Sequence, residues 1–143
     1  MIDLSQHQKT FYKIIGAAMR VHNELNYGLL EAVYRESMSY ELSLSGVECL
    51  EEQELPIFYR NRLLKKRYRI DLLVKDVVCE LKSVKELLPE HRAQLCNYLR
   101  LTKKSLGLLI NFGQARLVAE RWVFDEEKNE CFIVDANMSR LVS

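Results

Sequence analysis

Tyr68-Arg-Ile-Asp-Leu-Leu-Val-Lys-Asp-Val-Val-Cys-Glu-Leu-Lys82 is the stretch on which the fold turns. Its apolar residues alternate instead of recurring every three or four positions. Tyr68, Ile70, Leu72 and Val74 fall on one face of an extended chain, and Arg67, Arg69, Asp71 and Leu73 on the other. Past Lys75-Asp76 the alternation resumes, with Val78, Glu80 and Lys82 opposite Val77, Cys79 and Leu81. The pattern predicts two strands, over 64–74 and 77–84, joined by a short turn. A two- or four-residue loop puts Asp71 across from Glu80 and Arg69 across from Lys82. A three- or five-residue loop shifts the register by one.

Two carboxylates directly opposite on antiparallel strands have Cβ atoms about 5 Å apart, where unpaired like charges destabilise the sheet. Two ordinary solutions exist. Arg69 and Lys82 neutralise the acids as a surface ion-pair patch, or a divalent cation sits between the acids with oxygen ligands from both. The neighbours Ile70, Leu72, Cys79 and Leu81 make these strands look central, so their charged face points to a cleft. Lys82 shares a face with Glu80, and an ammonium there stabilises the charge that develops on a phosphate. Acid, acid and lysine on one face form a minimal set for metal-assisted hydrolysis of a phosphodiester.

Outward from this hairpin, helical spacing governs the N-terminal third. Phe11, Ile14, Ile15, Ala18, Val21, His22 and Leu25 predict a helix over 6–26, with Ser5 and Gln8 as a capping box. A second helix is expected over 29–44, with Leu30, Val33, Ser37, Tyr40 and Leu44 as one stripe and Glu31, Tyr34 and Met38 on an adjacent face. Gly28 suits a left-handed stop or the start of that helix, which would put Glu31 at its third position. A strand over 54–59 and a turn at 60–62 precede the hairpin. A third helix starts near Pro89 and runs to about 101. The apolar run at 105–112 reads as a strand covered on both faces. Strands over 117–124 and 131–134 flank an acidic turn. The order is ααβββαβ followed by ββ, a mixed α+β domain on a sheet of five or six strands.

Asp71 followed by Glu80-Leu81-Lys82 resembles the D…E-x-K core of the PD-(D/E)xK nuclease superfamily, the restriction-endonuclease-like fold. Gly28-Leu-Leu-Glu31-Ala-Val-Tyr34 is similar to the signature of its GxxExxY family, and Gln94-Leu-Cys-Asn-Tyr98 to a Gln-x-x-x-Tyr helix motif of one branch. Ile70 stands where the superfamily's name has proline. The resemblance implies an αβββαβ core with an extra N-terminal helix and a C-terminal hairpin, and one nuclease-like domain over 1–143. It implies Mg²⁺, or Mn²⁺, on Asp71 and Glu80, with the Leu81 carbonyl and Glu31 as further ligands. Lys82 would orient or activate water, and Gln94 and Tyr98 would hold Lys82 or the substrate backbone. Each has a plainer reading: Glu31 as a helix cap, Tyr34 as a core-edge aromatic, Gln94 and Tyr98 as an amphipathic helix edge, His91 as a surface residue.

The chain has 143 residues, 48% hydrophobic and 29% charged, which suits one globular domain and excludes disordered and collagen-like classes. Lys+Arg 21 against Asp+Glu 20 excludes a uniformly basic coat. The total conceals local polarity. Arg60, Arg62, Lys65, Lys66, Arg67 and Arg69 have no acid among them, and the acids gather at 48–54 and 125–130. A basic ribbon leading into an acidic site tracks a phosphate backbone, with Arg67 and Arg69 as substrate contacts; it equally suits an edge hairpin guarded against aggregation. Four widely spaced cysteines form no metal or redox motif and are expected to be reduced, buried thiols. With no apolar leader and no membrane-length apolar run, a cytoplasmic protein is expected. Three function classes follow: a Mg²⁺-dependent nuclease acting on DNA or a related nucleic acid, a non-catalytic nucleic-acid- or protein-binding module, and a structural α+β protein. A homodimer is compatible with so small a chain acting on duplex DNA.

Overall fold

The alternating stretches build one six-stranded sheet in the order β1-β2-β3-β4-β5-β6, with β1 at Cys49–Tyr59, β2 at Arg62–Val74, β3 at Val77–Lys82, β4 at Leu106–Asn111, β5 at Val118–Asp125 and β6 at Glu130–Val134. Three helices accompany it: α1 at Leu4–Leu25, α2 at Glu31–Leu44 and α3 at Pro89–Thr102. The computed structural model describes residues 4–141. Among the described residues only β3 and β4 run parallel. A parallel pair needs a crossover, and α3 supplies it. The result is the expected αβββαβ core with one helix before it and a hairpin after it.

Helices cover both faces. Phe11, Ile14 and Val21 of α1 and Tyr34, Met38 and Leu42 of α2 pack on Leu72, Cys79, Leu108 and Ile110. Leu95, Tyr98 and Leu99 of α3 pack on Ile70, Val78 and Leu109 on the other side. Every residue of β4 is therefore buried, as its apolar run predicts.

Several boundaries differ from expectation. α1 is already helical at Leu4, so Ser5 lies within it and does not cap it. α2 starts at Glu31 with Leu30 as its N-cap, so Glu31 takes the first position and Gly28 stays outside, at φ +88°. The expected apolar stripe of α2 faces outward: Leu30, Val33, Tyr40 and Leu44 are exposed. The neighbouring row of Tyr34, Met38 and Leu42 is buried instead, anchored where the Tyr34 ring stacks on Phe112 with centroids 4.4 Å apart. β1 starts five residues earlier than expected, at Cys49, and so takes the acids from Glu51 to Glu54 into the sheet. β3 ends at Lys82, because the next segment turns away to the Asn111 side chain, which accepts from Val84 N–H at 3.0 Å and donates to Val84 O at 2.9 Å.

The hairpin register is as expected: Val74 pairs with Val77, Leu73 with Val78 and Leu72 with Cys79, around a two-residue turn in which Lys75 adopts φ +53°. The ladder stops there. On the other side of β2, Glu51 pairs with Leu72 and Gln53 with Ile70, and the Glu52–Asp71 pair between them is skipped. Glu52 adopts φ +50° at that point. Ile70 and Leu72 consequently belong to opposite faces of the sheet, which corrects the unbroken alternation read from the sequence. The sheet inverts locally at Asp71.

Cys96 of α3 and Cys131 of β6 form a disulfide, with Cα atoms 6.0 Å apart, against the expectation of reduced thiols throughout. The two lie 35 residues apart with no motif to join them. Cys49 and Cys79 are free, and burial pushes the Cys79 thiol well up, so it behaves as a small hydrophobe. Among the described residues no helix is long and apolar enough to cross a membrane.

Candidate active site

At the inversion, side chains take over the bonds that the backbone ladder gives up. Asp71 Oδ2 accepts the Leu81 N–H at 2.8 Å, and Glu80 Oε1 accepts the Asp71 N–H at 3.1 Å. The two acids expected to face each other therefore do so, locked reciprocally to each other's strands. Glu80 is only 3% exposed. Burial, then the charge of Asp71, pushes the Glu80 carboxyl up to about 9, against partial relief from the Asp71 N–H and the Lys82 ammonium.

Lys82 leaves the same face of β3 and donates to Gln94 Oε1 at 3.1 Å; Gln94 Nε2 in turn donates to Tyr98 Oη at 3.1 Å. The i, i+4 spacing puts Gln94 and Tyr98 one turn apart on the inward side of α3. Burial and the Glu80 charge raise the Tyr98 hydroxyl, which keeps it protonated. The Tyr98 ring meets Tyr68 of β2 at 5.7 Å. The start of α3 is set by Pro89 and by His91, whose Nδ1 accepts the Leu88 N–H at 2.9 Å, so His91 is a helix cap.

The loop before α2 is tied to the same region. Tyr34 Oη donates to Asn26 O at 2.7 Å and accepts the Leu29 N–H at 3.2 Å, and Ser83 Oγ donates to Leu29 O at 2.5 Å. Gly28, in the left-handed region, makes the bend that the tyrosine brackets. Ser83 directly follows Lys82, so the Gly28–Tyr34 loop is fastened beside the lysine. Glu31 opens α2 on the exposed side, and its side chain makes no hydrogen bond or ion pair among the described residues. Arg35, one turn further on, reaches the acids: its guanidinium lies 4.0 Å from Asp71 Oδ1, 3.4 Å from Glu52 Oε1 and 3.9 Å from Glu51 Oε1. Sequence reasoning missed Arg35, although i+4 from Glu31 is the signal that puts it on the same helix face. Arg67 and Arg69 lie on β2 beyond the acids; Arg67 donates to Leu64 O at 2.8 Å and Arg69 pairs with Glu54 at 3.5 Å.

The donors suit a hard divalent cation. Asp71, Glu80 and the Leu81 carbonyl offer oxygens only. Glu80 is a buried acid whose ionisation only Lys82 and one N–H favour, so a cation there would relieve a standing penalty. No cluster of three or more His, Cys, Asp or Glu converges among the described residues. An ion held by two carboxylates keeps waters or takes phosphate oxygens, which suits Mg²⁺.

The sequence profile of the PD-(D/E)XK nuclease superfamily matches residues 8–122. The chain belongs to that superfamily. The match contains every residue of the Asp71–Glu80–Lys82 site and its α2 and α3 supports, and nucleases of this superfamily generally use divalent metals. The crystal structure of SSO0001 is similar in fold to this superfamily member, with a TM-score of 0.52 and 20% identity over 68% of this chain and 53% of that one. The chain thus spans about half the length of that protein. No curated protein matches it.

Proposed function

We propose that residues 1–143 form one divalent-metal-dependent nuclease domain of the GxxExxY group, which hydrolyses phosphodiester bonds in DNA. The observation that carries this reading is the Asp71–Glu80 pair, half-buried at Asp71 and buried at Glu80, with Lys82 on the same face, pinned by Gln94. Asp71, Glu80 and the Leu81 carbonyl would hold Mg²⁺ or Mn²⁺. The ion would polarise the phosphoryl group and acidify a water. Lys82, its ammonium aimed by Gln94, orients the attacking water and stabilises negative charge growing on the phosphate. Tyr98, kept neutral, holds Gln94 in that orientation. Glu31, exposed at the start of α2, would reach the site only through water. Arg67 and Arg69 contact the substrate backbone.

One observation favours a second reading, a non-catalytic nucleic-acid-binding fold: Arg35 already lends Asp71 positive charge at 4.0 Å. Cleavage of single- and double-stranded DNA with Mg²⁺ or Mn²⁺, against EDTA, separates the two. The nuclease reading expects cleavage that the chelator abolishes. Binding without cleavage under either ion would favour the second.

A further inference from the structure

β2 pairs with β3 only from Leu72 to Val74; from Arg62 to Ile70 its ladder partner is β1 alone. A two-stranded ribbon thus leaves the sheet at Asp71. From 56 to 70 it carries six Arg and Lys and no acid. Arg69 is paired with Glu54, but the side chains of Arg62, Lys65 and Lys66 make no ion pair or hydrogen bond among the described residues. Phe58, Tyr59 and Leu63 stand 59%, 62% and 48% exposed among these charges. Lysines alone would guard an edge. Unneutralised cations interleaved with large exposed apolar groups fit a polyanion with an apolar interior face.

We infer that this ribbon is a DNA-binding arm that lies in the major groove of a duplex and presents its backbone to the Asp71–Glu80 site. The inference rests on the nuclease reading for the site, and deepens it by naming the substrate as double-helical DNA. Two strands lie about 4.8 Å apart before side chains are added. Once side chains flank the two strands, the ribbon is too wide for a minor groove of about 6 Å and suits a major groove of about 12 Å, which admits a two-stranded ribbon. The major groove of duplex RNA is deep and narrow and does not admit such a ribbon. From Asn61 to Ile70 the arm extends about 30 Å, just short of one turn of B-DNA at about 34 Å. The register shifts between Pro56 and Phe58, a break in the ladder that lets the ribbon bend and twist along a helical groove. At its base the Tyr68–Tyr98 contact joins the arm, through Gln94, to Lys82.

The test is binding in EDTA, read by fluorescence anisotropy, of the whole protein and its Lys65→Ala/Lys66→Ala variant. The probes are duplex DNA of about two helical turns, one of its single strands, and duplex RNA of the same sequence. Wild type should prefer duplex DNA. At about 0.1 M salt the variant should bind it roughly 10- to 60-fold more weakly, and the slope of log affinity against log salt should shrink by about 1.8. Its melting temperature, with and without Mg²⁺, should match wild type. A variant with wild-type duplex affinity and slope overturns the arm. So does a wild type that binds single strands or duplex RNA as tightly as duplex DNA. Failure of the nuclease reading looks different: the arm still binds duplex DNA, and nothing is cut when Mg²⁺ or Mn²⁺ is supplied.

Discussion

Asp71→Ala is expected to lower Mg²⁺-dependent DNA cleavage by about 10³-fold or more, the upper end for removing one preorganised electrostatic partner. The carboxylate has two tasks. Oδ2 accepts the Leu81 N–H and Oδ1 faces Arg35, while the Asp71 backbone N–H holds Glu80. Alanine keeps the N–H, so Glu80 stays in place, but half of the proposed cation site is gone. The Leu81 N–H is left unsatisfied, at a cost of about 1–3 kcal/mol in stability. Asp71→Asn restores an acceptor for that N–H and should recover most of the stability without the activity. Single-turnover cleavage and thermal melts of the two variants separate these effects. Cleavage by Asp71→Asn at the wild-type rate would remove Asp71 from the chemistry.

Gly113→Ala is expected to be the most damaging single methyl in the chain. An alanine Cβ at Gly113 would overlap both N and O of Val84 and approach Ser83 C to 2.7 Å. The obstacle is backbone, and it is held: the Asn111 amide clamps Val84 N and O, and Asn111 Oδ1 also accepts the Gly113 N–H at 3.0 Å. Relief requires opening that clamp, where β3 and β4 end side by side. A loss of about 3–5 kcal/mol is expected, beyond ordinary overpacking because the partner cannot rotate away. That is roughly 10 °C or more in melting temperature for a domain of this size. Val84 follows Lys82 by two residues, so residual activity should fall as well. A variant that melts within about 2 °C of wild type would show that the segment after β3 yields easily.

The core of this site was legible because its signals are local. Period-two spacing and a short turn suffice to bring Asp71 and Glu80 together, and i, i+4 spacing suffices for Gln94 and Tyr98. What sequence reasoning missed depends on the sheet as a whole. The inversion at Asp71 comes from Glu52, a residue expected ahead of β1 whose left-handed backbone leaves no compositional trace. Two apolar rows on α2 look alike in sequence; only the position of Phe112 decides that Tyr34 and Met38 turn inward and Leu30 and Tyr40 do not. Arg35 meets Asp71 only once α2 lies against β2, and Cys96 meets Cys131 only once β6 extends the sheet past α3.

If the Asp71–Glu80 pair is a cation site, melting of wild type and Glu80→Gln with and without Mg²⁺ will show it. In wild type without metal, Glu80 holds a proton that the unfolded chain releases. Its stabilising share is complete below the ordinary value of 4.5 and is lost as pH climbs toward about 9. Glutamine keeps an acceptor for the Asp71 N–H and carries no charge. At about pH 8 in EDTA the variant should therefore be the more stable, by on the order of 2 kcal/mol. Mg²⁺ should raise the wild-type melting temperature, most at the alkaline end, and leave Glu80→Gln nearly unmoved. A wild type indifferent to Mg²⁺, or a variant that responds equally, would show that no cation binds between Asp71 and Glu80.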